Sequence, residues 1–281
     1  MIAPSDVAVL MGGWSAERQV SLWSGEAVVA ALRNSGLNPQ AIDITAPGEL
    51  LTLPARGVRR VINVLHGEGG EDGRVQALLD LAGIAYPGCG VLASALAMDK
   101  LQTKRIWQAL GLPTAPWRVA ASATDLRAAA AEWGYPLFVK PSADGSSVGI
   151  SRVTGDAEVD AAWRSARSAT GVVMVEPAVS GAEYTCSVLD GQPLPLVRIE
   201  PDGTFYDFNA KYVSNNTRYH CPAGVSAARE TEVQALCAKA FAALGGEGFG
   251  RVDFLMTDDG EPSLLEVNTL PGMTSHSLMP L

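Results

Sequence analysis

Basic residues are in short supply in this chain: 21 Lys and Arg stand against 30 Asp and Glu, a formal net charge of −9 over 281 residues. Nucleic acids and anionic membranes are bound through clustered Lys and Arg. No basic stripe and no run of six like charges is present, so neither partner is expected. Cysteine is sparse too. Cys89, Cys186, Cys221 and Cys237 are scattered, with no Cys-x-x-Cys and no histidine at metal-ligand spacing. They read as packing residues of a reducing compartment rather than as a disulfide framework. The N-terminus lacks a basic segment followed by an apolar run, and no apolar stretch reaches about 18 residues. The expectation is a cytoplasmic protein with neither signal peptide nor membrane span. Internal repeats and low-complexity linkers are also missing.

The rest is ordinary for a soluble globular protein, with 47% hydrophobic and 18% charged residues, and the length allows two or three domains. Residues 6–11 read as a buried strand, followed by Gly12-Gly13, Ser15 as an N-cap and an amphipathic helix to about Asn34, closed by Gly36. A strand at 58–65 and a helix at 75–82 continue a β-loop-α rhythm, which predicts an open, mostly parallel α/β unit over roughly 1–95. One helix is expected over 93–110, stopped by Gly111-Leu-Pro113. A second unit follows with strands at 136–140, 148–153 and 172–176, a helix near 157–168, and a plain helix around the Ala-rich stretch 127–131. The third unit, from about Thr185, is rich in β signals.

Residues 251–268 carry the most information. They read as two apolar strands joined by Asp259-Gly260, a common tight-hairpin pair. A turn centred there sets Asp253 opposite Glu266 and Arg251 opposite Asn268, all four side chains on one face. Facing carboxylates about 5 Å apart repel. A hard cation removes that objection, and Asp, Glu and Asn oxygens suit Mg²⁺. The alternative is a solvated polar face, and Pro262 would shift the register if it lengthened the loop.

Three other segments could carry chemistry. Lys140-Pro-Ser-Ala-Asp-Gly-Ser-Ser-Val-Gly149 lies between two strands, which rules out a Walker-type loop opening a helix. It is either a hairpin flap whose backbone N–H groups wrap a triphosphate or an ordinary turn. His66-Gly-Glu-Gly-Gly-Glu-Asp-Gly73 sits at the C-terminal end of a strand, where ligands of open α/β sheets collect; its histidine is either structural or held close to a ligand. Residues 209–224 are polar and aperiodic, either an exposed crossover or a lid begun by Lys211 and Tyr212.

Taken in order, a set of motifs resembles the D-alanine–D-alanine ligase family of the ATP-grasp superfamily. These are Gly12-Gly-Trp-Ser-Ala-Glu-Arg-Gln-Val-Ser21, the His66–Gly73 run, Met98-Asp-Lys100, Val139-Lys-Pro-Ser142, Gly145-Ser-Ser-Val-Gly149, Ala210-Lys-Tyr212, Cys221-Pro-Ala-Gly224, Gly250-Arg-Val-Asp253, Leu265-Glu-Val-Asn268 and Pro271-Gly-Met-Thr-Ser-His-Ser277. The match runs from residue 6 to the end. It implies an α/β (α+β) chain with an ATP-grasp fold behind an N-terminal Rossmann-like domain, divided at 1–95, 96–184 and 185–281.

The resemblance implies that ATP phosphorylates the carboxylate of one D-alanine and that the amine of a second attacks the acyl phosphate. On this basis Asp253, Glu266 and Asn268 hold two Mg²⁺ (or Mn²⁺) ions, with a monovalent cation as a further candidate. Lys100, Lys140 and Lys211 neutralise phosphate oxygens, and Ser146 and Ser147 contact ATP from the flap. Glu176 meets the adenine and Glu183 the ribose. Glu17, helped by His66, receives the first D-alanine's ammonium, and Ser146 and Tyr212 complete a triad with Glu17. Arg251 binds the transferring phosphoryl, Gly272 N–H serves as oxyanion donor, and Ser277 and the Leu278 backbone grip the second carboxylate. Tyr212, acting through Ser146, is one candidate for the base, and it favours D-alanine over D-lactate. The family also implies a homodimer.

Two departures from the family pattern stand out. Glu176-Pro-Ala-Val179 replaces a Glu-Lys-Trp-Leu-type segment, which puts side-chain contacts to adenine there in doubt. The chain also stops at Leu281, where family members usually continue for another helix. The competing readings are a different ATP-grasp ligase or D-lactate variant, and a non-catalytic nucleotide-binding protein, which would have no reason to keep Arg251 with Asp253, Glu266 and Asn268.

Overall fold

The computed structural model describes residues 6–143, 149–201, 216–274 and 277–280, with the backbone alone at 168–170. Ser146, Ser147, Lys211 and Tyr212, all named above, lie outside the described residues.

An unbroken apolar run makes a strand buried on both faces. β1 (Val7–Gly12) is such a strand, and it pairs in parallel with β2 (Gln40–Ile44) and β3 (Arg60–Asn63) in the order β2-β1-β3. The expected parallel α/β arrangement is therefore present. α1 (Arg18–Asn34) buries Val20, Ser21, Ser24, Gly25 and Val29, and α2 (Arg74–Leu81) buries Val75, Gln76 and Leu79. Ser15 does not cap α1. Glu17 holds the N-cap position, while the Ser15 hydroxyl donates to the His66 carbonyl (2.6 Å) and accepts from Glu17 N–H.

The helix expected over 93–110 is two helices, α3 (Val91–Met98) and α4 (Lys100–Ala109). Asp99 between them is extended (φ −92°, ψ 99°), and its carboxylate accepts from Leu101 and Gln102 N–H, capping α4. Apolar spacing carries on across the break, so periodicity alone reads one helix.

A second, antiparallel sheet has the order β4-β7-β5-β6, from β4 (Arg118–Ala120), β5 (Leu137–Pro141), β6 (Ser151–Val153) and β7 (Val173–Pro177). α5 (Ala123–Trp133) and α6 (Val159–Thr170) cover it, sharing a core that includes Leu126, Leu137, Val139 and Val175. β5 and β6 pair as the hairpin the flap reading requires.

The third sheet, β10-β9-β8-β11-β12, holds the largest core. Its strands are β8 (Gly181–Leu189), β9 (Gln192–Glu200), β10 (Arg218–His220), β11 (Phe249–Thr257) and β12 (Pro262–Asn268). α7 (Ala227–Ala242), capped by Ser226, packs on β8, β9 and β11, and has no counterpart among the sequence expectations. Trp107 of α4 is fully buried here and donates to the Ala240 carbonyl at 3.1 Å. Tyr184 and Phe254, cross-strand partners, stack at 5.7 Å. Cys89, Cys186 and Cys237 pack inside as expected and Cys221 is exposed; none is disulfide-bonded. Burial, the larger effect, pushes the Cys89 thiol up to about 11. Among the described residues no helix is long and apolar enough to cross a membrane.

Candidate functional site

The β11–β12 hairpin sets Asp253 opposite Glu266 and Arg251 opposite Asn268, as the sequence predicts. The route to that register is less simple. Near the turn Met256 faces Pro262, one residue off symmetric pairing, and a bulge between Asp253 and Phe254 restores it. The extra residue is Leu265. Phe254 and Leu264 face the core, whereas Leu265 and Glu266, neighbours in sequence, both line the cleft on the other side.

Each acid is already balanced. Arg251 grips Asp253 through two hydrogen bonds of 2.8 Å, and Thr185 Oγ1 and Asn268 Nδ2 donate to the same carboxylate (2.6 and 2.8 Å). Lys100 Nζ lies 3.2 Å from Glu266. Among the described residues no three His, Cys, Asp or Glu side chains cluster as a metal site; the donor set is two carboxylates and an asparagine. Its oxygens fit a hard cation such as Mg²⁺, with Arg251 and Lys100 supplying the positive charge here. The Asn268 amide donates as placed, so metal binding would need its oxygen turned inward.

The cleft encloses ≈ 760 Å³ of empty space, counting its open mouth. Phe138, Ile150, Pro177, Val179, Leu255 and Leu265 make its apolar walls. Lys100, Lys140, Glu176, Glu183, Asp253 and Glu266, all named from the sequence, line it together. Glu176 does not project freely. Lys140 binds its Oε1 and Lys104 approaches its Oε2 at 3.0 Å. Burial pushes this carboxyl up, but the charges and hydrogen bonds of Lys140 and Lys104 outweigh it and hold the group below its ordinary value. Lys104 is shifted down, chiefly by burial, and also donates to Thr114 Oγ1 (2.7 Å) and the Ala115 carbonyl. The main-chain N–H of Ala178 is taken by the Pro136 carbonyl, so neither Pro177 nor Ala178 offers a free backbone donor.

A second cluster gathers Glu17, His66, Gly272 and Ser277. Gly67 makes it possible: its φ is +75°, and a Cβ there would lie 2.6 Å from Glu17 Oε2. His66 is buried, with Nδ1 3.1 Å from Glu71 and Nε2 3.1 Å from Ser24 Oγ. Gly272 is constrained as tightly, since its Cβ would sit 2.8 Å from Ser277 Oγ. The Ser277 hydroxyl accepts from Thr274 N–H at 2.9 Å. Leu278 is buried beside Val197 and Ile199.

Ser24, Glu71, Lys104 and Thr185 belong to these clusters and were not singled out from the sequence. Helical spacing holds the signal for two of them. Ser24 is two turns on from Glu17, and Lys104 is one turn on from Lys100.

A family profile described as "D-ala D-ala ligase C-terminus" matches residues 106–281. A D-alanine–D-alanine ligase of Stutzerimonas stutzeri is 51% identical over 276 residues, covering 98% of this chain and 87% of that protein. Among solved structures, the D-alanine–D-alanine ligase of Bacillus anthracis complexed with ATP superposes with a TM-score of 0.83 at 33% identity, covering 98% of this chain and 89% of that one. The VanG D-Ala:D-Ser ligase of Enterococcus faecalis gives 0.81 at 32%, covering 98% and 92%.

Proposed function

The chain belongs to the D-alanine–D-alanine ligase family, with the ATP-grasp fold, and from that premise we propose how its own residues divide the family's reaction. It is an ATP-dependent ligase that joins two D-alanines for peptidoglycan synthesis. The residue roles that follow are our reading.

ATP enters the cleft with its base between Phe138, Ile150, Val179 and Leu265, near Glu176, and its ribose toward Glu183. Lys100 and Lys140, with Lys211 from outside the described residues, neutralise its phosphates. Asp253, Glu266 and Asn268 hold Mg²⁺ or Mn²⁺, which supplies charge neutralisation at the transferring phosphoryl. Arg251 and Lys100, which lie against Asp253 and Glu266, also meet phosphate oxygens of ATP. Glu17 and His66 receive the first D-alanine, Gly272 N–H faces the developing oxyanion, and Ser277 with the Leu278 backbone holds the second carboxylate. Ser146 and Ser147 belong to the flap, and Tyr212, through Ser146, is our candidate base. A homodimer, a cytoplasmic location and division near 95 and 184 complete the proposal.

The observation that carries this reading is the convergence of Lys100, Lys140, Glu183, Asp253 and Glu266 in one cleft. Phosphate release with ATP and Mg²⁺ tests it, with and without D-alanine, D-serine or D-lactate. We expect strong stimulation by D-alanine and a D-alanyl-D-alanine product. Release that D-alanine leaves unchanged would overturn it.

A further inference from the structure

Glu17 and His66 stand on α1 and the loop after β3, while Gly272 and Ser277 lie beyond β12, more than 200 residues later in the chain. If the first pair receives one D-alanine and the second pair the other, the two halves must be held in register. An amine attacks efficiently only from about 3–3.5 Å. Ser24 spans this junction. It is fully buried in α1 on the same side as Glu17, and its Oγ lies 3.1 Å from His66 Nε2. The same oxygen accepts the backbone N–H of Met273 at 3.2 Å. It also lies 4.0 Å from where a Cβ on Gly272 would sit.

The direction of the Ser24–His66 bond follows the ring tautomer, and Glu71 beside Nδ1 favours the ring proton there. A hydroxyl that accepts from Met273 N–H still has its own proton to give, and His66 Nε2 takes it when the ring proton is on Nδ1, facing Glu71. Peptide 272–273 is thereby fastened through one oxygen to the ring beside Gly67 and Glu17. We propose, resting on the reading given above, that Ser24 is a positioning residue that locks the second-substrate loop onto the first-substrate pocket. It touches neither substrate. It sets the distance from which the second amine reaches the acyl phosphate.

The two half-reactions separate this role from a general structural one. Hydroxylamine attacks an acyl phosphate to give the hydroxamate and inorganic phosphate, and it needs no second-substrate subsite. In Ser24→Ala we expect D-alanyl hydroxamate formation within about twofold of the unaltered protein. Half-saturation by the second D-alanine should rise roughly tenfold, the scale of losing one to two hydrogen bonds. Ser24→Cys, similar in size with a weaker hydrogen-bonding group, should fall between. Equal loss in both assays, or loss in neither, would overturn the proposal. Should the unaltered protein form no hydroxamate with D-alanine and ATP, the ligase reading itself would fail instead. Retained hydroxamate formation in Ser24→Ala also shows that the variant is folded.

Discussion

Replacing Glu176 with glutamine tests how the nucleotide cleft is built. The carboxylate is 3% exposed and lies between Lys140 and Lys104, both buried. Glutamine keeps the shape and removes the charge, so two buried ammonium groups lose their counter-ion. Breaking a buried ion pair by removing one partner costs about 3–5 kcal/mol. Lys104 would keep Thr114 Oγ1 and the Ala115 carbonyl, and an amide oxygen still accepts, which places the expected cost near about 3 kcal/mol. Lys104→Met is the matched control. It leaves Glu176 paired with Lys140 and removes an ammonium whose burial already disfavours its charge, so its cost should be about 1 kcal/mol or less.

Thermal unfolding without nucleotide reads the difference. At about 2–4 °C per kcal/mol, Glu176→Gln should lower Tm by roughly 6–12 °C and Lys104→Met by less than about 4 °C. The pH dependence follows from the depressed carboxyl. Such a group stabilises the fold fully above its ordinary value of 4.5, and that contribution is lost as pH falls through the lower folded value. The gap between the unaltered protein and Glu176→Gln should therefore begin to close only below 4.5. Equal losses for the two variants, or a larger loss for Lys104→Met, would refute the argument.

Three further outcomes are expected. Asp253→Asn should lower D-alanine-stimulated phosphate release by at least about 100-fold and raise the Mg²⁺ needed for half-maximal rate, because it removes one of two facing carboxylates; near-normal turnover at ordinary Mg²⁺ would count against the metal assignment. Gly272→Ala pushes a methyl group against Ser277 Oγ, and should raise KM for D-alanine roughly tenfold while equilibrium ATP binding stays unchanged. Trp107→Ala empties a fully buried site between α4 and α7 and should cost about 3–5 kcal/mol in urea unfolding.

The strands at 7–12 and 137–141 were legible because the apolar runs Val7–Met11 and Leu137–Val139, closed by glycine or shortly followed by proline, leave few other choices. Facing of Asp253 and Glu266 was legible from strand parity, although two compensating one-residue shifts produce it where a symmetric turn was assumed. The break at Asp99 was hidden because apolar residues fall on both sides of it at helical spacing. A cap is decided by one side chain turning back on two N–H groups. Lys104 and Ser24 were missed for a different reason: helical spacing puts them on the faces of Lys100 and Glu17, but nothing sets either apart from an ordinary helix residue until the fold brings Glu176 or Met273 to it. Motif order picked out residues that line the cleft together. It said little about what holds them in place.

The bulge at Leu265 has a bearing on which length changes this protein can absorb. Because the register is reset between the turn and the acids, residues 258–261 are uncoupled from the site, and an insertion there should lengthen the hairpin tip without rotating Glu266 or Asn268. Loss of Leu265 would be absorbed as well. Leu264 would still face Phe254, Glu266 would follow it directly and still face Asp253, and the bulge would close into a regular ladder at the expense of one apolar wall of the cleft. An extra residue between Glu266 and Asn268 has no such outlet, and would turn Asn268 to the opposite face or slide it one position along β11.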